Sequence, residues 1–321
     1  MWAPPPGTPP KSIVHLLGGA FAGAAPAPAY GLLAGLIADG GHTVIATPYP
    51  ATFRHADAAR DVTAAFWRVV GELRAGENAW AAPAGLPTHG VGHSMGALLH
   101  LLASSSHATG HASTVLLSYN NRPVSDAVPV PLDSAAGAAR SVLAAARGAA
   151  GGSLPKAGDL LTAGLAALAG AGVSVPAGAA AALGEAAPAL DQLAAVTGEV
   201  GDGVAEFDPP PAESRRIIQS GYRVPRTYLV AFSNDTIDES PSLAALLRGA
   251  GSTNVTFDTL PGTHVTPCGG DVSWAVGAAP SALDLLALGG RAVLQADARR
   301  LAARVVGWLD GASGSQGALG A

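Results

Sequence analysis

Short apolar runs alternate with longer segments of helical periodicity along most of this chain. Runs of five to seven residues, rich in valine, isoleucine, leucine and threonine, predict buried β-strands. These predicted strands are 13–17, 43–47, 88–93, 113–119, 226–232 and 254–260. Segments with apolar residues three and four positions apart predict helices that pack on the sheet. They are 30–38, 55–74, 95–104, 242–248 and 291–309.

The alternation predicts an α/β fold with a mostly parallel sheet and helices on both faces, because parallel strands need crossover connections. One interruption falls between the fourth and fifth predicted strands. Residues 134–204 are rich in alanine and glycine and nearly free of aromatic residues, so we predict an inserted helical cap at about 124–212. We expect a single domain over 11–310, with flexible ends at 1–10 and 311–321.

Composition narrows the class of protein. The chain of 321 residues has a net charge of −5 and only 13% charged residues, and we see no basic cluster that would favour nucleic acid or an anionic membrane surface. The uncharged stretch 160–184 is long enough to span a bilayer, but its Ala/Gly content and Pro176 favour packing on protein. Peripheral contact of such a cap with lipid stays compatible with the sequence. The single cysteine, Cys268, excludes an internal disulfide.

Residues 92–96 read Gly-His-Ser-Met-Gly and lie between a predicted strand and a predicted helix. This is the G-x-S-x-G pattern of a nucleophile elbow, a tight strand-to-helix turn that exposes a serine at the edge of an α/β-hydrolase sheet. The strained backbone of such a serine leaves little space for side chains two residues away, which explains the glycine on each side. We therefore predict an α/β-hydrolase-like fold with Ser94 as the nucleophile.

A nucleophilic serine needs a histidine that accepts its proton and a carboxylate that orients the histidine. In this fold the acid and then the histidine follow the serine in the chain. Asp235 comes just after the fifth predicted strand, and His264 comes just after the sixth. Asp238 is the alternative acid, although it could instead cap the helix that follows. We predict a triad of Ser94, Asp235 and His264.

Backbone N–H groups must stabilise the negative charge that develops on the substrate's carbonyl oxygen. The Met95 amide supplies one donor by its position in the elbow, and we expect the second from Gly19 or Ala20, in the loop after the first strand. No pair of histidines has a metal-ligand spacing with nearby acids, so we predict no metal ion. The loop lacks the full glycine pattern of a dinucleotide site, so we predict no cofactor.

Seven segments of the chain resemble an uncharacterised family. They are IVHLLGGAFAGAAP (13–26), TVIATPYPATFRHADAA (43–59), GVGHSMGALLHLL (90–102), LLSYNNRP (116–123), FDPPPAES (207–214), FSNDTIDES (232–240) and LPGTHVTP (260–267). In them the chain is similar to domain-of-unknown-function family thirteen-fifty of cyanobacteria, plants and algae. The resemblance implies an α/β-hydrolase fold, places Ser94, Asp235 and His264 at catalytic positions, and implies a plastid location in eukaryotes, with a cytoplasmic location as the alternative. It implies no substrate.

Two functions from different classes fit these residues. The first is a serine esterase or lipase-like hydrolase that cleaves an ester of a lipid or another apolar acyl compound, with the cap covering the acyl chain. The same residues could transfer the acyl group of this small-molecule substrate to an alcohol instead of water. The second is a non-catalytic α/β-hydrolase scaffold that binds a lipid, a pigment or a protein partner, since a fold does not determine a function.

Overall fold

The computed structural model describes residues 1–76, 83, 85–123, 196, 199, 204, 206–251, 254–269 and 282–314, and in the last of these segments it describes side chains from 295 to 311. The predicted cap at 124–212, with its uncharged stretch 160–184, lies almost entirely outside the described residues. The alternating strands and helices on either side of the cap are described.

Six parallel strands form one sheet in the order β2-β1-β3-β4-β5-β6. They are β1 Ser12–Leu17, β2 His42–Ala46, β3 Thr88–His93, β4 Ser113–Leu117, β5 Thr227–Phe232 and β6 Val255–Leu260. Every adjacent pair is parallel, so the predicted sheet is confirmed. The chain leaves β1 towards β2 on one side and returns to β3 on the other. The carboxyl ends of β1 and β3 therefore flank the topological switch point, where ligands bind in sheets of this kind.

The described helices cover both faces of the sheet. They are α1 Pro26–Asp39, α2 His55–Ala75, α3 Met95–Ser106, α4 Pro211–Gly221, α5 Ser240–Gly249 and α6 Ala282–Gly314. Side chains of α1 and α6 share one apolar cluster with the strands, and side chains of α2 to α5 pack against the opposite face. Because helices cover both faces, the central strands β1, β3, β4 and β5 are buried at every position, which explains the mainly apolar sequences of β1, β4 and β5.

Two features differ from the sequence predictions. Helix α4 was not predicted, and it begins at Pro211, inside the range assigned to the cap. Its apolar residues are few, and the fully buried Ile218 anchors it in the same cluster as α3, so packing rather than a long apolar stripe stabilises it. The start of the chain, expected to be flexible, is tied to β2 by an antiparallel bridge between Trp2 and Val44. Among the described residues, no helix is long and apolar enough to cross a membrane.

Candidate active site

Ser94 lies at the junction of β3 and α3, at the carboxyl edge of the sheet. Its backbone has φ 54° and ψ −119°, which residues other than glycine rarely adopt. Close backbone packing surrounds this turn. A Cβ atom added at Gly92 would lie 2.6 Å from the Gly96 carbonyl oxygen, and one added at Gly96 would lie 2.5 Å from the Gly18 carbonyl oxygen. Both flanking glycines are therefore required by contact, and the turn has the geometry of a nucleophile elbow.

Replacing Gly96 with alanine is expected to destabilise the protein by about 2–4 kcal/mol, because the backbone at the end of β1 must move to admit the methyl group. Gly35→Ala on α1 is the matched control, since a Cβ there meets nothing within 4 Å. Removing that helical glycine should leave the melting temperature unchanged or raise it. Thermal unfolding followed by circular dichroism compares the two variants. Equal melting temperatures would contradict the close packing inferred at the elbow.

Two further side chains, from the loops after β6 and β5, extend a hydrogen-bonded series from Ser94. His264 Nε2 lies 3.0 Å from Ser94 Oγ, and His264 Nδ1 lies 2.8 Å from Asp235 Oδ2. The carboxylate identifies Nδ1 as the protonated nitrogen, so Nε2 accepts the hydrogen bond of the serine hydroxyl. The Asp235 side chain is 0% exposed and that of His264 is 23% exposed. The structure thus joins the three residues that chain order selected into one hydrogen-bonded series.

Asp238, the alternative acid, makes different hydrogen bonds. Its Oδ1 accepts from the Ser240 amide at 3.1 Å and from the Ser240 hydroxyl at 2.5 Å, at the start of α5. Burial alone would raise the pKa of the Asp235 carboxyl, but the hydrogen bond and electrostatic attraction to His264 and the hydrogen bond from the Ile237 amide bring that pKa below its usual value. Burial raises the pKa of Asp238. Of the two acids, Asp235 is therefore the one placed and charged to orient His264.

The three backbone N–H groups predicted to bind the substrate's carbonyl oxygen are not all free to do so. Met95 is the first residue of α3, so its N–H has no partner within the helix. The Gly19 N–H instead donates to the Tyr30 hydroxyl at 2.7 Å and is not available to a substrate, which corrects the prediction for Gly19. Ala20 lines the same cavity as Ser94, and its amide has no hydrogen-bond acceptor among the described residues. Met95 and Ala20 remain as the two candidate donors.

A series of buried hydrogen bonds connects this loop with His264. The Tyr30 hydroxyl, which accepts from Gly19, donates to His93 Nδ1 at 2.7 Å. His93 Nε2 in turn donates to the His264 carbonyl oxygen at 2.8 Å. Burial, with the nearby His264, lowers the pKa of His93 to about 3, so the ring is neutral near pH 7 and has one donor and one acceptor. Tyr30 and His93 therefore fix the position of the loop after β1 relative to His264. The sequence analysis did not identify this role.

Replacing Tyr30 with phenylalanine is expected to destabilise the protein by about 1–3 kcal/mol, because the Gly19 amide and His93 Nδ1 lose a buried partner. We also expect a lower rate of chemistry at Ser94, since the loop that carries Ala20 loses its anchor. Urea unfolding and steady-state kinetics measure the two effects. Tyr228→Phe is the control, because that hydroxyl bonds Asp258 at 2.7 Å near the amino end of β5. A wild-type kcat in the Tyr30 variant would contradict the positioning role.

A cavity of about 300 Å³ opens beside Ser94. Polar residues on its wall include His55 and Arg122, but most of the wall is apolar. The larger apolar side chains on the wall include Phe21, Phe53, Met95, Leu98, Phe207, Ile237 and Val265. Phe21 and Val265 are 40% and 54% exposed, which is rare for large apolar residues among the described positions. Such a cavity accommodates a mainly apolar group next to the serine.

Three buried histidines form the one group of described residues that could hold a metal ion. Ring nitrogens of His15, His100 and His111 lie within 4.8 Å of one another. Each ring also has a hydrogen bond in the core, to the Thr47 hydroxyl, the His15 carbonyl oxygen and the Thr88 hydroxyl respectively. Each ring therefore has one partner in the core, while His15 Nδ1 has none among the described residues. No local motif signals the group, because a strand, a helix and a loop contribute one residue each, and the absence of a metal stays a prediction.

A parallel sheet of this order, an elbow serine after its third strand, and an acid and a histidine after its fifth and sixth strands define an α/β-hydrolase fold. This is the fold expected from the sequence. The chain belongs to the family described as protein of unknown function DUF1350, whose model matches residues 2–311.

Several solved structures are similar to this chain at low sequence identity. The thioesterase domain from the curacin biosynthetic pathway is 15% identical with a TM-score of 0.44, covering 89% of this chain and 92% of that one. The peroxisomal alpha-beta-hydrolase of Saccharomyces cerevisiae is 13% identical, with a TM-score of 0.47 and coverage of 90% and 76%. The monoacylglycerol lipase of Paleococcus ferrophilus is 14% identical, with a TM-score of 0.44 and coverage of 91% and 96%. No curated protein sequence matches the chain.

Proposed function

We propose that this protein is a serine hydrolase that cleaves an ester of an apolar acyl compound. The observation that carries the proposal is the hydrogen-bonded series from Ser94 through His264 to Asp235, with links of 3.0 and 2.8 Å, on the wall of a mainly apolar cavity. Acyl transfer to a serine requires a nucleophile hydrogen-bonded to a base and the base hydrogen-bonded to an orienting carboxylate, with about 2.6–3.2 Å for each bond.

In the first half-reaction, Ser94 Oγ attacks the ester carbonyl carbon while its proton passes to His264 Nε2. The Met95 and Ala20 amides stabilise the negative charge that forms on the carbonyl oxygen. Asp235 accepts the hydrogen bond from Nδ1 and stabilises the positively charged imidazole. His264 then donates its proton to the leaving alcohol oxygen, and the acyl group stays on Ser94.

In the second half-reaction, water attacks the acyl carbonyl carbon while His264 accepts a proton from it. The carboxylic acid leaves and the Ser94 hydroxyl is restored. An alcohol in place of water would give acyl transfer by the same steps. The apolar wall, with Phe53 and Leu98, supports an acyl group of mainly hydrocarbon character, because removing apolar surface from water favours binding.

Replacing Asp235 with asparagine is expected to lower kcat about a thousandfold or more, because an amide favours the wrong tautomer of His264. Asp238→Asn is the matched control. It makes the same chemical change three positions away, at a carboxylate that bonds Ser240, so we expect less than about a tenfold loss. Hydrolysis of p-nitrophenyl esters measures both variants, and their melting temperatures show whether they are folded.

A larger loss in the Asp238 variant than in the Asp235 variant would contradict the assignment of the acid. A folded wild-type protein that cleaves no ester of any acyl length would contradict hydrolysis itself. That second result would favour a binding scaffold with the same fold.

A further inference from the structure

His55 is a buried polar residue that the hydrolytic mechanism does not use. It is the first residue of α2, its exposure is 3%, and it lines the same cavity as Ser94. Neither of its ring nitrogens has a hydrogen-bond partner among the residues that the structure describes. Burying a polar group without a partner is unfavourable, so a group of this kind on a cavity wall indicates that a ligand supplies the partner.

The surroundings of His55 fix the ring in place. The imidazole stacks on Phe207, with ring centroids 4.5 Å apart and planes at 23°. The backbone on either side is paired with the segment that carries Phe207. Asp208 N–H donates to the Phe53 carbonyl oxygen at 2.8 Å, and Ala56 N–H donates to the Asp208 carbonyl oxygen at 3.1 Å. A ring held in this way presents its nitrogens in a set direction, which is how a binding site gains specificity.

The protonation state of His55 limits the chemistry of its partner. Burial lowers the pKa of His55 to about 4, so the ring is neutral near pH 7. A neutral imidazole has one N–H donor and one acceptor nitrogen. Arg122 also lines the cavity, but the His55 ring itself is uncharged and stacks on Phe207, so it offers little stabilisation to a buried carboxylate beside it. A hydroxyl or keto oxygen matches this environment better than a charged group.

We propose that His55 is a specificity subsite that hydrogen-bonds a neutral oxygen group, a hydroxyl or a keto group, on the acyl part of the substrate at a distance from the reacting ester. This inference deepens the proposed hydrolase function and rests on it. The substrate class becomes an ester of an oxygenated, mainly apolar acyl chain. A site with a buried hydrogen-bonding group discriminates strongly against an analogue that lacks the partner, because the group is then left unpaired.

The test uses p-nitrophenyl esters whose acyl chains all have the same length. One ester has an unsubstituted chain, a set of esters has a single hydroxyl or keto group at different positions, and one has a terminal carboxylate. The uncatalysed reaction is subtracted for each ester. We expect kcat/KM of the wild-type protein to be about ten to a hundred times higher for the best hydroxyl or keto ester than for the unsubstituted ester. This first measurement needs no variant.

Two variants then assign the preference to His55. His55→Phe keeps the stacking on Phe207 and should remove the preference, so that the ratio of kcat/KM between the best oxygenated ester and the unsubstituted ester falls to about one. His55→Gln keeps a donor and an acceptor and should restore part of the preference. Equal fluorophosphonate labelling of Ser94 in the variants shows that the site is intact.

The outcomes separate this inference from the proposed function. Normal hydrolysis without a preference for any oxygenated ester, or a preference unchanged in His55→Phe, overturns the role of His55 and leaves the hydrolase function standing. A best rate with the carboxylate ester overturns the neutral class of ligand. Absence of Ser94 labelling together with absence of hydrolysis overturns the hydrolase function and this inference with it.

Discussion

Replacing Ser94 with alanine is expected to lower kcat for ester hydrolysis by about 10⁴–10⁶-fold and to leave KM nearly unchanged. The loss corresponds to about 5–8 kcal/mol of activation free energy. The substitution removes one oxygen atom, whose described hydrogen bond is to His264, and it leaves the cavity wall in place. Substrate can still bind and the Met95 and Ala20 amides can still polarise its carbonyl, but no covalent acyl intermediate forms.

Steady-state kinetics on p-nitrophenyl esters measure this loss, with burst kinetics as a second measure of the acyl intermediate. Ser106→Ala is the matched control, because Ser106 is an exposed residue at the end of α3. We expect its kcat to be that of the wild type. If the Ser94 variant retained a tenth or more of the wild-type kcat, Ser94 would not be the nucleophile.

Acid is expected to unfold this protein between about pH 5 and pH 6, because seven of its nine histidines are buried. They are His15, His42, His55, His89, His93, His100 and His111. Burial lowers the pKa of each, to about 4 for His42, His55, His89 and His100 and to about 3 for His93 and His111. In the unfolded chain the same side chains titrate near pH 6.5.

Between about pH 6.5 and pH 4 the unfolded chain therefore binds more protons than the folded protein. This stability is present above the unfolded pKa and is lost as the pH falls below it. Each buried histidine accounts for a loss of about 1.2 kcal/mol between pH 7 and pH 5.5, and seven account for about 8 kcal/mol. A typical domain has only about 5–15 kcal/mol of stability in total, so a loss of this size removes most or all of it, and we expect the protein to unfold.

Urea unfolding at a series of pH values gives the slope of stability against pH, which counts the protons taken up on unfolding. His111→Phe keeps the aromatic packing against Phe66 and Trp67 and should reduce the uptake by about one proton. Ser106→Ala, at an exposed residue without a titratable side chain, should leave the slope unchanged. A stability that stays constant from pH 7 to pH 4.5 would contradict the neutral state of the buried histidines.

Local signals in the sequence were sufficient for the sheet and the elbow. Apolar runs with β-branched residues predict strands wherever both faces are buried, and all six were found. Glycine is needed at positions 92 and 96 because backbone atoms lie close to both positions around the strained serine. This requirement is visible in the local sequence. The chain order of serine, acid and histidine in this fold narrowed the candidates for the partners of Ser94 to two acids and one histidine.

The sequence already favoured Asp235 over Asp238, because Asp235 comes directly after β5, and in the structure the two acids have different partners, His264 and Ser240. The supporting hydrogen bonds, in contrast, depend on distances across the fold. Tyr30 and His93 are 63 positions apart in the chain, and nothing in either local sequence indicates that they are hydrogen-bonded. Contacts of this kind arise from packing between elements, which local periodicity does not encode.

The same reasoning explains why helix α4 and the burial of His55 were not predicted. Helix α4 contains few apolar residues and is stabilised by its contact with α3, so its pattern alone was weak. His55 looks like an ordinary polar residue at the start of a helix. Its burial on the cavity wall became evident only when the segment with Phe207 was placed beside it.

Reaction of the folded protein with a fluorophosphonate probe, followed by mass spectrometry of its peptides, tests most directly whether an activated serine is present. We predict one phosphonyl adduct per chain, on Ser94, and none in protein unfolded by heat, because only a serine paired with His264 and Asp235 reacts readily. Folded protein that stays unmodified at Ser94, or that is modified at another residue instead, would contradict the proposal of serine-based ester hydrolysis.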